Sequence, residues 1–247
     1  MKFLLRFNRA TEAKYREAKF QETRVFAILV GFATVLLAVS LWGWDWVHDP
    51  IGAPAVLGTR LLMGGILLLY PLFLLLGMRR DLLPWLFYVL VLVTQGVFLY
   101  HLSLIQGGLV YGIAGFMYWF ILPVFLGLPF GSLPNLFGLL SVAVLPNVLV
   151  PLGVAPAFEL AKYNAIIGPT CAITIFATVM LDMLFRNLFL YRQEAETLAI
   201  TDSLTGIANR RHFLEKGELF LKLSQRYGRP ISLLMFDIDH FKQVNDR

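Results

Sequence analysis

Residues 25–44 read VFAILVGFATVLLAVSLWGW, a stretch without one Asp, Glu, Lys or Arg. A helix rises about 1.5 Å per residue and a bilayer's hydrocarbon core is about 30 Å thick, so roughly 20 apolar residues span it. This stretch therefore predicts a membrane-crossing helix. Five further windows approach the same length, at 56–76, 84–102, 109–126, 133–152 and 163–185. They are separated by short breaks rich in Gly, Pro or charge: DWVHDPIGAP, MRRD, SLIQGG, GLPFGS and GVAPAFELAK. The predicted architecture is a polytopic bundle of six helices. Pro123, Pro146 and Pro169 fall inside windows, where neighbouring helices can satisfy the carbonyls that proline frees. The fourth and fifth windows, rich in Gly and Pro, are expected to kink and to leave room for a small hydrophobic ligand.

Composition agrees: 58% of residues are hydrophobic, 15% are charged, and mean hydropathy is +0.70. Such values exclude an ordinary soluble globular chain. Net charge is +5, but the cations mark topology rather than a nucleic-acid polymer as partner. Lys2, Arg6, Arg9, Lys14, Arg16, Lys19 and Arg24 precede the first span, Arg79 and Arg80 follow the second, and Arg186 and Arg192 follow the sixth. The opposite loops carry Asp45, His48, Asp49 and Glu159 with Lys162. The positive-inside rule then predicts a multi-pass inner-membrane protein with both termini cytoplasmic. The N-terminal MKFLLRF has a charged start but too short an apolar run for a signal peptide, and no small-residue cleavage site follows before Val25, so it is expected to be retained. Residues 1–24 form a cytoplasmic segment, read either as an amphipathic helix on the anionic leaflet or as a solvated extension of the first span. The single cysteine, Cys171, can form no intrachain disulfide and is expected to be a small buried side chain.

Past the sixth span, Leu181, Leu184, Leu188, Tyr191, Ala195 and Leu198 recur at spacings of 3 and 4. That is a heptad seam running from the membrane into FLYRQEAETLA, and it predicts a signalling helix over 186–200 that pairs in a parallel homodimer. A single stalk packed on its own domain is the plainer alternative. Two polar blocks follow. Residues 201–211 read TDSLTGIANRR, and residues 231–246 read ISLLMFDIDHFKQVND. The apolar run ISLLMF predicts a strand buried on both faces. Ending in Asp-x-Asp, it would deliver hard oxygen ligands to a sheet edge, the donor type that suits Mg²⁺ beside a nucleotide phosphate.

D-x-L-T-G-x-x-N-R-R followed at the right interval by F-D-I-D-x-F-K-x-x-N-D resembles the opening of the GGDEF family of diguanylate cyclases. The six-span region resembles, in size and placement, the integral membrane sensor modules (MASE-like) found before such domains. The resemblance implies a truncated α/β cyclase domain over 201–247 following a mostly α membrane bundle over 25–185. It implies condensation of two GTP to cyclic di-GMP with Mg²⁺ or Mn²⁺ across a dimer interface. Carried over by residue, Asp237 would ligate the metal through its side chain and Ile238 through its carbonyl. His240 and Phe241 would offer backbone amides to the phosphates, Lys242 would add positive charge, and Asn245 would bond the guanine edge. Asp202 would couple the signalling helix to the domain, with Arg210 or Arg211 as ion-pair partner. The family's GG(D/E)EF turn is absent from these residues, so no catalytic residue is assigned and the 247-residue chain is expected to be inactive.

Ionisable groups within spans are costly and tend to be functional. Arg60 is expected to pair with Asp45 or Asp49, and Asp182 with Arg186 four residues on, at the head of the stalk whose Leu188 and Leu198 carry the seam. His48 and His101, both at outer span ends, suggest a bis-histidine site or merely two interfacial histidines. Rival functions are a transporter-like protein, for which neither an inverted repeat nor a charged path is evident, and a receptor or scaffold with a degenerate cyclase domain.

Overall fold

A computed structural model describes residues 7–202, 204–237 and 239–245, with the side chains of residues 243 and 244 also left aside. The chain divides into two units, Met1–Phe189 and Leu190–Arg247, each treated by itself.

The first unit is a helical bundle. Helix α1, Arg9–Ser40, is capped by the Asn8 side chain, which accepts from the Thr11 amide at 2.9 Å. It is followed by α2 (Trp42–His48), α3 (Ala53–Leu75) and α4 (Leu83–Leu104). The fourth span is composite: α5 (Gly108–Tyr111), a 3₁₀ segment over Gly112–Met117, and α6 (Tyr118–Leu126). Helices α7 (Ser132–Leu149) and α8 (Leu160–Ile200) complete it. Six helical stretches among the described residues are long and apolar enough to cross a membrane. The expected irregularity of the fourth window is therefore realised as a tighter 3₁₀ turn, which Gly112 and Gly115 permit where Leu102 and Phe98 press against them. Pro123, Pro146 and Pro169 all lie inside helices.

Outward faces carry Leu29, Leu36, Leu62, Val89, Phe137 and Phe176, all exposed as lipid would require, while Thr94, Gln95, His101, Asn135 and Asp182 are buried between helices. This inside-out polarity places the polar side chains where they find one another. Gln95 donates to the Val142 carbonyl at 3.0 Å, Tyr88 to Asn135 at 3.1 Å, and Asn135 to the Gly127 carbonyl at 2.9 Å. Small residues set the spacing. A Cβ on Gly31 would stand 3.0 Å from Pro71 Cβ, so α1 and α3 approach closely only with glycine there. Cys171 is buried and unpaired, as expected. Residues 9–24 do not form a separate helix: they are the first turns of α1, with Tyr15, Lys19, Phe20 and Thr23 buried.

The second unit begins on the last turns of α8. A short anti-parallel bridge joins Thr201 to Ala208 around a tight turn, and α9 (Arg210–Tyr227) and α10 (Phe241–Asn245) follow. The expected strand over 231–236 is not formed. A strand needs a neighbour's hydrogen-bond ladder, and the described residues contain no second strand to supply it. Leu233, Leu234, Met235 and Phe236 are accordingly exposed rather than buried on both faces.

Candidate functional site

Three groups of residues carry the chemistry. The first is the turn after the stalk. Asp202 Oδ1 accepts from the Leu204 amide at 3.1 Å, the Thr205 amide at 2.9 Å and the Thr205 hydroxyl at 2.8 Å. These donors, the Thr205 amide foremost, hold its carboxyl below the usual carboxylate range. Gly206 follows at φ 70°, a left-handed position that favours glycine. Asn209 then locks the turn in both directions: its amide nitrogen donates to the Ala199 carbonyl at 2.8 Å and its oxygen caps α9 by accepting from His212 at 3.0 Å. Asp202 thus serves its own turn. An ion pair to Arg210 or Arg211 is not among those of the described residues, and Arg211 pairs with Glu215 at 3.3 Å instead.

Farther on, Asp237 is exposed at the end of residues 231–237, which form no regular element, and Ile238 lies outside the described residues. His240 takes φ 59°, a strained value for a residue with a Cβ, in the turn that starts α10. Phe241 and Lys242 open that helix and Asn245 closes it, all three exposed. Asp237, His240, Phe241, Lys242 and Asn245 thus fall within nine consecutive positions. No group of three or more His, Cys, Asp or Glu side chains among the described residues could enclose a metal. The Asp237 carboxylate is a hard oxygen donor of the kind Mg²⁺ takes, and by itself it supplies one ligand.

The second group sits where α8 begins its stalk. Asp182 Oδ1 accepts from Lys19 Nζ at 2.6 Å and from the Tyr15 hydroxyl at 2.8 Å, while Oδ2 accepts from Arg186 Nε at 2.9 Å. Arg186 also forks onto Glu12 at 2.7 and 2.9 Å and stacks over the Tyr15 ring at 4.5 Å. Lys19 further donates to the Phe130 carbonyl at 3.1 Å. Two cations and two carboxylates thereby tie α1 and the loop before α7 to the head of the stalk. The Asp182–Arg186 pair is as expected. Glu12, Tyr15 and Lys19 escaped sequence reasoning, although their 3- and 4-residue spacing puts them on one helix face.

At the opposite end, Arg60 chooses Asp45: Nε and Nη2 bond the two carboxylate oxygens at 2.8 and 2.7 Å. Asp49 is occupied by the amides of Gly52 and Gln106, both at 2.9 Å, and these hold its carboxyl below the usual range, Gln106 most strongly. His101 is buried, with Nδ1 at 2.7 Å from the Thr59 hydroxyl and Nε2 at 3.4 Å from Asp45. His48 instead stacks between Trp44 and Tyr111, each centroid 4.3 Å away. The two histidines therefore have separate partners rather than a shared site.

Comparison with known proteins matches residues 43–196, more than half of the chain, to the MASE8 family. The chain belongs to the MASE8 family. The MASE8 module is directly followed by a match over residues 199–247 to the diguanylate cyclase GGDEF domain. The chain is similar to the response regulator PleD of Caulobacter vibrioides, 45% identical over 20% of this chain and 11% of PleD. The chain is also similar to the probable diguanylate cyclase DgcC of Escherichia coli K12, 34% identical over 23% of this chain and 15% of DgcC. The diguanylate cyclase VdcA of Vibrio cholerae is 48% identical over 19% of this chain and 13% of VdcA. The chain thus spans less than a fifth of the curated relatives it matches. No solved structure matches it. The protein is a multi-pass membrane protein whose MASE8 module precedes the start of a GGDEF domain.

Proposed function

We propose that these residues are the sensory module and cyclase entry of a membrane-bound diguanylate cyclase that condenses two GTP into cyclic di-GMP. The observation carrying this reading is continuity: helix α8 runs unbroken from Leu160 in the MASE8 module to Ile200, directly before the Asp202 turn and the GGDEF match. Orientation follows the cations. Lys19, Arg80 and Arg186 form ion pairs, and Arg24 donates to the Leu74 carbonyl, at the end of the bundle where the stalk leaves, which favours cytoplasmic termini in the inner membrane.

The seam residues Leu184, Leu188, Tyr191 and Leu198 are exposed along α8, which suits pairing with the stalk of a second copy. A signal would shift how two stalks face each other, with the Asp182 cluster as the joint through which the bundle grips the helix and Asp202, Arg210 and Arg211 around the hinge into the catalytic domain. On the nucleotide side, Asp237 and the Ile238 carbonyl would hold Mg²⁺ or Mn²⁺, which neutralises charge building on the transferring phosphoryl group. Amides of His240 and Phe241 with the Lys242 ammonium would seat the phosphates, and Asn245 would read guanine. These residues orient GTP and have no bond-making role of their own.

The test is product formation. The full-length protein in liposomes with GTP and Mg²⁺ is expected to yield cyclic di-GMP by mass spectrometry, with loss on Asp237→Asn or chelation, whereas the 247-residue chain yields none. GTP binding without turnover in the full-length protein would replace the cyclase reading with a non-enzymatic receptor.

A further inference from the structure

Among α1, α2, α3, α4 and the fourth span lies a cavity of about 500 Å³. That is the range of a small-molecule site. Its walls are mainly apolar, with Leu37, Ala38, Met63, Phe98, Leu102 and Trp119 prominent. The polar atoms at its edge are unbalanced toward donors. Arg60 lines the cavity with a side chain 6% exposed, and Asp45 takes its Nε and Nη2. Tyr111 and Trp119 also line the cavity, and the Tyr111 hydroxyl and the Trp119 indole N–H are buried without a hydrogen-bond partner. The one carboxylate present, Asp45, is already engaged by Arg60 and His101. Buried donors left unpaired are costly, so such a site favours a guest that brings an acceptor. The mouth is set by Leu37, Met117 and Tyr118, which line the cavity and are exposed on the bundle's outside. That exposure on an apolar outer face favours entry from the bilayer side.

We propose that this cavity binds a lipophilic molecule carrying a carbonyl or carboxyl oxygen, which enters laterally and places that oxygen among Arg60, Tyr111 and Trp119. The source is either the acyl ester of a bilayer phospholipid or a free lipophile dissolved in the membrane. The site belongs to the MASE8 module and stands independently of the cyclase reading, since binding is measured without GTP.

Benzophenone and diphenylmethane share a skeleton and differ in one carbonyl. The chain in nanodiscs is photolabelled with benzophenone, with diphenylmethane as competitor, and the labelled peptide is read by mass spectrometry. Labelling is expected on peptides holding Met63 or Met117, with diphenylmethane competing about tenfold more weakly than unlabelled benzophenone. Trp119→Phe, which keeps the ring and drops the donor, is expected to erase most of that difference. Ala38→Leu, which fills the cavity, is expected to cut labelling at least tenfold; a thermal unfolding curve identical to wild type shows that it folds. Native mass spectrometry separates the sources: a phospholipid retained by the wild type and lost in Ala38→Leu is the bilayer source, and benzophenone uptake without lipid displacement marks a free lipophile. Labelling spread over outer helix faces, equal competition by the two skeletons, or full labelling of Ala38→Leu overturns the proposal.

Discussion

In the MASE8 module polar side chains are buried beside an apolar core while further apolar side chains cover the outside, whereas in the second unit, among the described residues, nothing is buried at all. Leu214, Leu219, Phe220 and Leu223 on α9 face outward just as Leu29 or Phe176 does on the bundle, yet α9 is amphipathic and strongly charged on its other face. The same exposure therefore has two meanings. On the bundle it is a complete surface matched to lipid, sealed inside by ion pairs and amide networks. On α9 and residues 231–236 it is a surface that no described residue covers. The membrane unit is consequently sensitive to the loss of an internal polar partner, and the second unit is indifferent to changes on faces that nothing covers.

Mutations can separate the two regimes. The largest effect is expected from Arg60→Met, which strands the Asp45 carboxylate between helices beside His101; removing one partner of a buried pair costs about 3–5 kcal/mol. Chemical unfolding of the chain in detergent measures it, and a loss under 1 kcal/mol would mean that the pair is not buried in the bilayer. Asp182→Asn should cost about 2–4 kcal/mol, since Lys19 and Arg186 each lose a charged partner while Glu12 still neutralises Arg186. A double exchange, Lys19→Met with Asp182→Leu, should recover part of it, because an apolar replacement of a whole pair avoids the desolvation penalty. Acid should loosen the Asp202 turn: its carboxyl is lowered in the folded state, so its contribution is full above the unfolded value and is lost as pH falls through the folded one. A lower protection factor for the Thr205 amide below about pH 4, after correction for the intrinsic exchange rate, checks this, with the protection of buried bundle amides unchanged as control. The smallest effect belongs to Phe220→Ser on α9, within about 0.5 kcal/mol in this chain. A larger loss there would erase the contrast between the units.

Much of this was legible in the residues. Continuous apolar windows reported six spans because lipid acts as a nearly uniform solvent, so composition alone decides crossing. The Asp182–Arg186 pair was readable from a local i,i+4 spacing. What stayed hidden is long-range: Lys19 and Glu12 reach Asp182 and Arg186 across more than 160 positions of sequence, and no local pattern encodes which helix faces which. The strand over 231–236 failed for a related reason, since strand propensity describes one edge of a ladder and the other edge must come from elsewhere. For the cyclase residues, the motif identified Asp237, His240, Phe241, Lys242 and Asn245 as a set, and the structure keeps them adjacent in sequence while leaving them open to solvent.

Pro169 sits high in α8, and below it the helix continues without another proline to Ile200. At about 1.5 Å per residue that is a shaft of roughly 45 Å. Each residue of such a shaft also advances about 100° around the axis, so under the proposed stalk mechanism its length would act as an angular setting. Inserting seven residues below Arg192 would return the hinge at Asp202 nearly to its original bearing, and inserting two would swing it far round. Output from such a shaft should follow the phase of the insertion rather than its size, much as gear teeth mesh by alignment and not by count.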